Sequence, residues 1–181
     1  FNQDISGWDV SSVTNMSRMF ENNSIFNQPL NAWISANVTN MSYMFSAATA
    51  FNQPLNNWDV SSVTNMIQMF YRADSFNQSL NSWDVSAVTN MHNMFYQAYA
   101  FNGNITNWSV GSVANMNNMF RQASVINQDV SGWDVSNVAS MSNMFDGASA
   151  FSTANYDALL SGWLSSGVKT NISFVTSSNY C

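Results

Sequence analysis

A period of 25 residues runs through this chain without an insertion, and it leaves little freedom in how the chain folds. Phe1-Asn2-Gln3 recurs as Phe26-Asn27-Gln28, Phe51-Asn52-Gln53 and Phe76-Asn77-Gln78, then as Phe101-Asn102-Gly103 and Ile126-Asn127-Gln128. Trp8, Trp33, Trp58, Trp83, Trp108 and Trp133 keep the same step, and so do pairs of Met from Met16 and Met19 to Met141 and Met144. An exact period of this length signals repeats that stack in one dimension, because a single repeat cannot bury its own apolar face. The sequence therefore predicts a repeat solenoid. Residues 1–150 supply six repeats, and residues 151–181 supply an altered seventh acting as a C-terminal cap.

Numbering each repeat from 1 to 25 gives a provisional course for one coil. Apolar residues at positions 1 and 5, and the alternation of Trp8 and Val10 around Asp9, predict two short strands. From position 14, Thr-Asn-Met-x-x-Met-Phe-x-x-Asn/Ala has i, i+3, i+4, i+7 spacing, which predicts one or two helical turns. Tyr156 to Leu164 can form an amphipathic helix with Gly162 as its weak point, and Ile172, Phe174 and Val175 read as a last strand.

Asn2, Asn27, Asn52, Asn77, Asn102 and Asn127 form one column, and Asn15, Asn40, Asn65, Asn90 and Asn115 form another, with Ser140 closing it. Side-chain amides offer both donors and acceptors. At a corner of stacked coils they can satisfy backbone groups, so both columns are read as buried structural ladders rather than as a sugar- or ice-binding array.

The pattern Phe-Asn-Gln-x-(Ile/Leu)-x-x-Trp-Asp-Val-Ser-x-Val-Thr-Asn-Met-x-x-Met-Phe resembles the BspA-like surface-protein repeat, a relative of the leucine-rich repeats. The resemblance covers residues 1–150 and extends to Tyr156-Asp157-Ala158-Leu159-Leu160-x-Gly162-Trp163 and Asn179-Tyr180-Cys181. It implies leucine-rich-repeat-like coils with short parallel strands, an extracellular or cell-surface location, and adhesion or matrix binding. It implies no catalytic residues. Repeat two departs from the pattern at Ile34-Ser35, and repeat five at Gly103 and Ser109.

Composition excludes several functions. Lys plus Arg total four against ten Asp plus Glu, a net charge of -6, which argues against a nucleic-acid surface. One His and one Cys leave little for a metal cluster or disulfide framework. No apolar run is long enough to span a bilayer. Asp9, Asp59, Asp84 and Asp134 share a position and invite a reading as a calcium site or an acid–base pair, but Ile34 and Ser109 break the column. An Asp that bonds nearby backbone N–H groups in a turn is the preferred reading. His92 stands at a variable position and is read as an exposed surface residue. Cys181 has no partner in the chain and is read as pairing outside it, with a free thiol as the alternative. No catalytic, cofactor or metal residue is assigned.

Three sets of residues remain as candidates. Among the Asn-x-Ser/Thr sequons, Asn22, Asn37, Asn104 and Asn107 lie at variable polar positions and are candidate glycosylation sites, whereas Asn15, Asn40 and Asn77 are expected to be buried in the ladders. Tyr43, Tyr71, Tyr96 and Tyr99, with Arg72 and Arg121, form a candidate surface for a protein or glycan partner. Phe1, Ile5, Trp8, Met16 and Phe20 form a candidate assembly end, through which copies would join head-to-tail into an extracellular filament. The expectation is thus a non-catalytic adhesion module, with a filament subunit as the alternative.

Overall fold

The computed structural model describes residues 1–169. The readings placed on Ile172, Phe174, Val175, Asn179, Tyr180 and Cys181 lie outside the described residues.

The repeats stack, but not by means of strands. Among the described residues there is one helix, α1, Thr153–Ser165, and no continuous strand. Parallel pairing is confined to five isolated bridges, which link Asn15, Asn40, Asn65, Asn90, Asn115 and Ser140 in series. This overturns the expectation of leucine-rich-repeat-like coils with short parallel strands and a helical turn per repeat.

The physical reason lies in the turns. Within the first repeat, Trp8 N–H donates to the Ile5 carbonyl, Val13 to Val10, Met19 to Met16, Glu21 to Arg18 and Asn23 to Phe20. Every later repeat reuses most of these three-residue closures, so the chain bends before a strand can form. The expected helix fails for a related reason. Position 18 has positive φ in every repeat, at Arg18, Tyr43, Gln68, Asn93, Asn118 and Asn143. Position 22 has it too, at Asn22, Ala47, Arg72, Gln97, Gln122 and Gly147. A left-handed residue every fourth position cannot continue a right-handed helix.

The N–H groups a helix would use internally point along the stack instead. Met16, Arg18, Phe20 and Asn22 donate to the carbonyls of Asn40, Ser42, Met44 and Ser46 in the next repeat, at 2.7–3.0 Å. The same four-rung arrangement joins repeats three and four through Met66, Gln68, Phe70 and Arg72. Backbone polar groups are thereby satisfied between repeats, as burial requires.

The constant apolar positions form the core. Phe45, Phe51, Phe70, Phe76, Phe95 and Phe101 are fully buried. The position-20 ring of each repeat stacks on the position-1 ring of the next at 3.9–4.1 Å, and rings at the same position stack from repeat to repeat at 5.4–6.0 Å. The second Met of each pair is buried from Met44 onward, and each such side chain contributes about 1.5–3 kcal/mol by leaving water. The Trp column is tied as well as buried. Indole Nε1–H of Trp33, Trp58, Trp83, Trp108 and Trp133 donates to the position-5 carbonyl of the preceding repeat.

Helix α1 continues that column. Ser152 caps it by accepting from Asn155 N–H. Trp163 is buried, and its Nε1–H donates to the Val130 carbonyl at 3.0 Å, the bond a repeat tryptophan would make. Gly162, read above as a weak point, is a contact requirement. A Cβ there would stand 2.2 Å from the Ser131 carbonyl oxygen, so only glycine lets the helix settle onto repeat six.

Candidate partner surface

The turns from position 17 to position 24 of every repeat share one side of the stack, held in register by the four-rung ladder. This segment holds Arg18, Arg72 and Arg121, the single His92, and Tyr43, Tyr71, Tyr96 and Tyr99. The side chains contact one another across repeats. The Arg18 guanidinium lies 4.1 Å from the Tyr43 ring centroid, and Arg18 also pairs with Glu21 at 2.8 Å. The Tyr71 and Tyr96 rings are 5.4 Å apart and tilted by 52°. Arg121 lies 5.6 Å from the Tyr96 ring and pairs with Asp146 at 3.0 Å. Tyr99 is exposed, while Tyr43, Tyr71 and Tyr96 are half-buried. The structure thus brings Tyr71 and Tyr96 together and leaves Tyr43 beside Arg18, a residue the sequence reading left out. Its position in the 25-residue frame, the same as that of Tyr43, was the available signal.

Amide pairs extend this surface. Gln97 Nε2 donates to Gln122 Oε1 at 2.8 Å, and Asn118 Nδ2 donates to Asn93 Oδ1 at 3.0 Å. His92 is half-buried rather than exposed, because the stack brings it beside the backbone of Asn117 in the next repeat. Burial lowers its pKa, partly opposed by a backbone hydrogen bond at Asn117. Burial raises the pKa of Asp74, with the Arg72 charge opposing.

The carboxylates at positions 4 and 9 have different surroundings. Asp4, Asp9, Asp59, Asp84, Asp129 and Asp134 fall in a segment with no Lys or Arg. Each accepts the backbone N–H two residues on, as Asp59 does from Ser61 and Asp84 from Ser86 at 3.0 Å. The Ser hydroxyl, then that backbone bond, holds Asp9, Asp59, Asp84, Asp129 and Asp134 below the ordinary carboxyl range, and at Asp4 the backbone bond comes first and the hydroxyl second. Among the described residues no three His, Cys, Asp or Glu side chains are grouped to hold a metal ion. No helix among them is long and apolar enough to cross a membrane.

The column from Asn2 to Asn127 is a working ladder, whereas the amides of Asn15, Asn40, Asn65, Asn90 and Asn115 each accept within their own repeat, and exposure corrects the reading of both columns as buried. Oδ1 of Asn2, Asn27, Asn52, Asn77 and Asn102 accepts the N–H of the next Asn in the column at 2.8–3.0 Å, and Asn127 accepts from Ser152. Asn52 is half-buried and the other five are exposed, so the sequon at Asn77 faces water; so does that at Asn15, while Asn40 is half-buried. The amides from Asn2 to Asn127 bridge coil edges rather than fill the interior. Asn22, Asn37, Asn104 and Asn107 are exposed. Asn37 Nδ2 donates to the Ser11 carbonyl at 2.8 Å, whereas Asn104 uses only its Oδ1, accepting from Thr106.

The candidate assembly end is smaller than the sequence suggested. Phe1 and Trp8 are exposed at 58% and 56%, but Ile5, Met16 and Phe20 are buried at 3% or less. The second repeat already covers them: Phe20 stacks on Phe26 at 4.0 Å.

These features define a protein of stacked 25-residue repeats, with a constant core and one side chemically varied. The model of the family described as "Mycoplasma protein of unknown function, DUF285" matches residues 1–98 and again residues 75–179. The chain belongs to that family. No curated protein and no solved structure matches it.

Proposed function

We propose that this chain is a non-catalytic module of an extracellular or cell surface, which binds a protein or glycan partner through its turn side. The observation that carries this reading is a sorting of residues. Every Arg, the His and four of the six Tyr of the chain stand between positions 17 and 24 of the repeats, while the core columns barely vary. Tyr and Arg present large contact area at modest entropic cost and dominate binding surfaces. Neighbouring repeats differ at these positions, so the array presents a particular pattern rather than a uniform lattice. The resemblance of the repeat to BspA-like surface proteins supports the same reading.

Binding of the purified chain to immobilised extracellular-matrix proteins and to a glycan panel tests it. Tyr71→Ala, Tyr96→Ala and Tyr99→Ala in combination should weaken any binding at least about tenfold, roughly 1.4 kcal/mol. Asp59→Asn with Asp84→Asn should leave it unchanged. Binding indifferent to the Tyr variants and lost in the Asp variants would remove the proposal. Growth of filaments that Trp8→Asp abolishes would favour the alternative, a subunit joined head-to-tail.

A further inference from the structure

Asn102-Gly103 is the only Asn-Gly pair in the sequence, and it falls within the Asn ladder. In repeats one to four and six the ladder Asn is followed by Gln. The Gln side chains reach back to the preceding ladder Asn: Gln78 Nε2 donates to Asn52 Oδ1 at 2.9 Å, and Gln128 Nε2 to Asn102 Oδ1 at 2.9 Å. Repeat five gives up that bond. Its Gly103 is buried, and a Cβ there would lie 2.1 Å from the Gln78 carbonyl oxygen. The space is used by the backbone, which here forms an additional bond from Leu80 N–H to the Asn104 carbonyl at 3.0 Å. Packing therefore requires glycine directly after an exposed asparagine.

We infer that Asn102 is a site of spontaneous deamidation through a cyclic imide, and that its conversion opens the junction between repeats five and six. The nucleophile is the backbone nitrogen of Gly103, a residue with no side chain of its own to crowd the attack, and its N–H makes no hydrogen bond among the described residues. It loses its proton and attacks Cγ of Asn102. The Cγ–Nδ2 bond breaks, and Nδ2 leaves with a proton as ammonia. Water then opens the imide. Addition at Cγ gives aspartate; addition at the main-chain carbonyl gives isoaspartate, whose backbone runs through Cγ with one extra methylene. The net change is loss of ammonia and gain of water.

The isoaspartate product strikes the ladder directly. Asn102 Oδ1 accepts from Asn127 N–H at 2.9 Å, and the Asn102 carbonyl accepts from Gln128 Nε2 at 2.9 Å. In the product these oxygens exchange roles: Oδ1 becomes the main-chain carbonyl, and the former carbonyl carries the free carboxylate. Both bonds must be remade across a lengthened backbone.

Incubation of the folded chain at mildly alkaline pH, followed by peptide mapping, tests this with internal controls. Asn27, Asn52, Asn77 and Asn127 hold the same ladder position but precede Gln. Asn102 should convert several-fold faster than any of them, and Asn127 N–H should lose protection from hydrogen exchange in proportion, while Asn52 N–H should not. Conversion of Asn102 no faster than its ladder neighbours would overturn the inference. So would conversion in urea-unfolded chain but not in folded chain, since the ladder would then be protecting the site. Conversion with Asn127 exchange unchanged would overturn the opening of the junction.

Discussion

Asn117 Oδ1 accepts the backbone N–H of Ser142, across the junction between repeats five and six, at 2.7 Å. In the first five repeats the equivalent N–H is satisfied from within. Asn15 accepts from Ser17, Asn40 from Ser42, Asn65 from Ile67, Asn90 from His92 and Asn115 from Asn117, at 2.9–3.0 Å. Repeat six has Ser140 where that asparagine would stand, and the amide comes from the repeat before it. Ser140 Oγ also donates to Asn117.

A double-mutant cycle should expose this substitution. Asn117→Ala leaves Ser142 N–H without its acceptor and should cost about 1–3 kcal/mol. Ser140→Asn restores the internal acceptor, so Asn117→Ala in that background should cost markedly less. Urea unfolding of the four proteins measures the coupling; equal costs in both backgrounds would refute it.

Glycine positions separate close approach from open space. Gly103→Ala should destabilise by about 1–3 kcal/mol, since the Gln78 carbonyl cannot retreat without breaking ladder contacts. Gly132→Ala, with nothing within 4 Å of its new Cβ, should be close to neutral or slightly stabilising. Thermal melts of the two variants should differ in sign or clearly in size.

At the left-handed positions the reverse substitution helps. Ala47 holds φ 55 without a glycine's freedom, while the equivalent Gly147 meets the same demand at φ 76. Ala47→Gly should raise stability by about 0.5–1 kcal/mol, the relief of left-handed strain outweighing added unfolded-state entropy. Ala48→Gly, one residue on in the buried core, should lower it. A melting temperature for Ala47→Gly below that of the parent would show that the turn carries no such strain.

Acid should weaken the stack through the turn carboxylates. The six Asp at positions 4 and 9 have folded pKa values below the ordinary 3.8. Their contribution is therefore complete above pH 3.8 and is lost as pH falls through the lower folded values. Ser61→Ala with Ser86→Ala removes the principal cause at Asp59 and Asp84, and should shrink the acid dependence of the melting temperature. Asp74 has the opposite sign: its raised pKa gives stability below 3.8 that is lost as pH rises through the folded value. Asp74→Asn should accordingly stabilise the chain at neutral pH.

The period, the buried columns and the tryptophan line could be read from residue identity alone, because apolar positions that recur at a fixed step must share an interior. The local backbone could not. Met16, Met19, Phe20 and Asn23 satisfy helical spacing, yet two successive turns place the same four positions with the same interval. Left-handed φ at position 18 was hidden because Arg, Tyr, Gln and Asn occupy it, and only Asn signals that conformation. The column from Asn2 to Asn127 misled in burial rather than in role, since a ladder at a coil edge needs the same amides as one in the interior; the column from Asn15 to Asn115 closes turns within each repeat instead. Tyr71 and Tyr96 were visible as surface residues, but their contact with each other, and that of Tyr96 with Arg121, required the stack.

The rungs between repeats run parallel to the stack, in series, with the junctions much alike. A pull applied to the two ends therefore loads every junction equally, and the weakest gives way first while its neighbours hold. Each repeat that peels off releases 25 residues, up to about 80–90 Å of extended chain. A tether built this way dissipates a sudden tug in instalments and lengthens before it lets go.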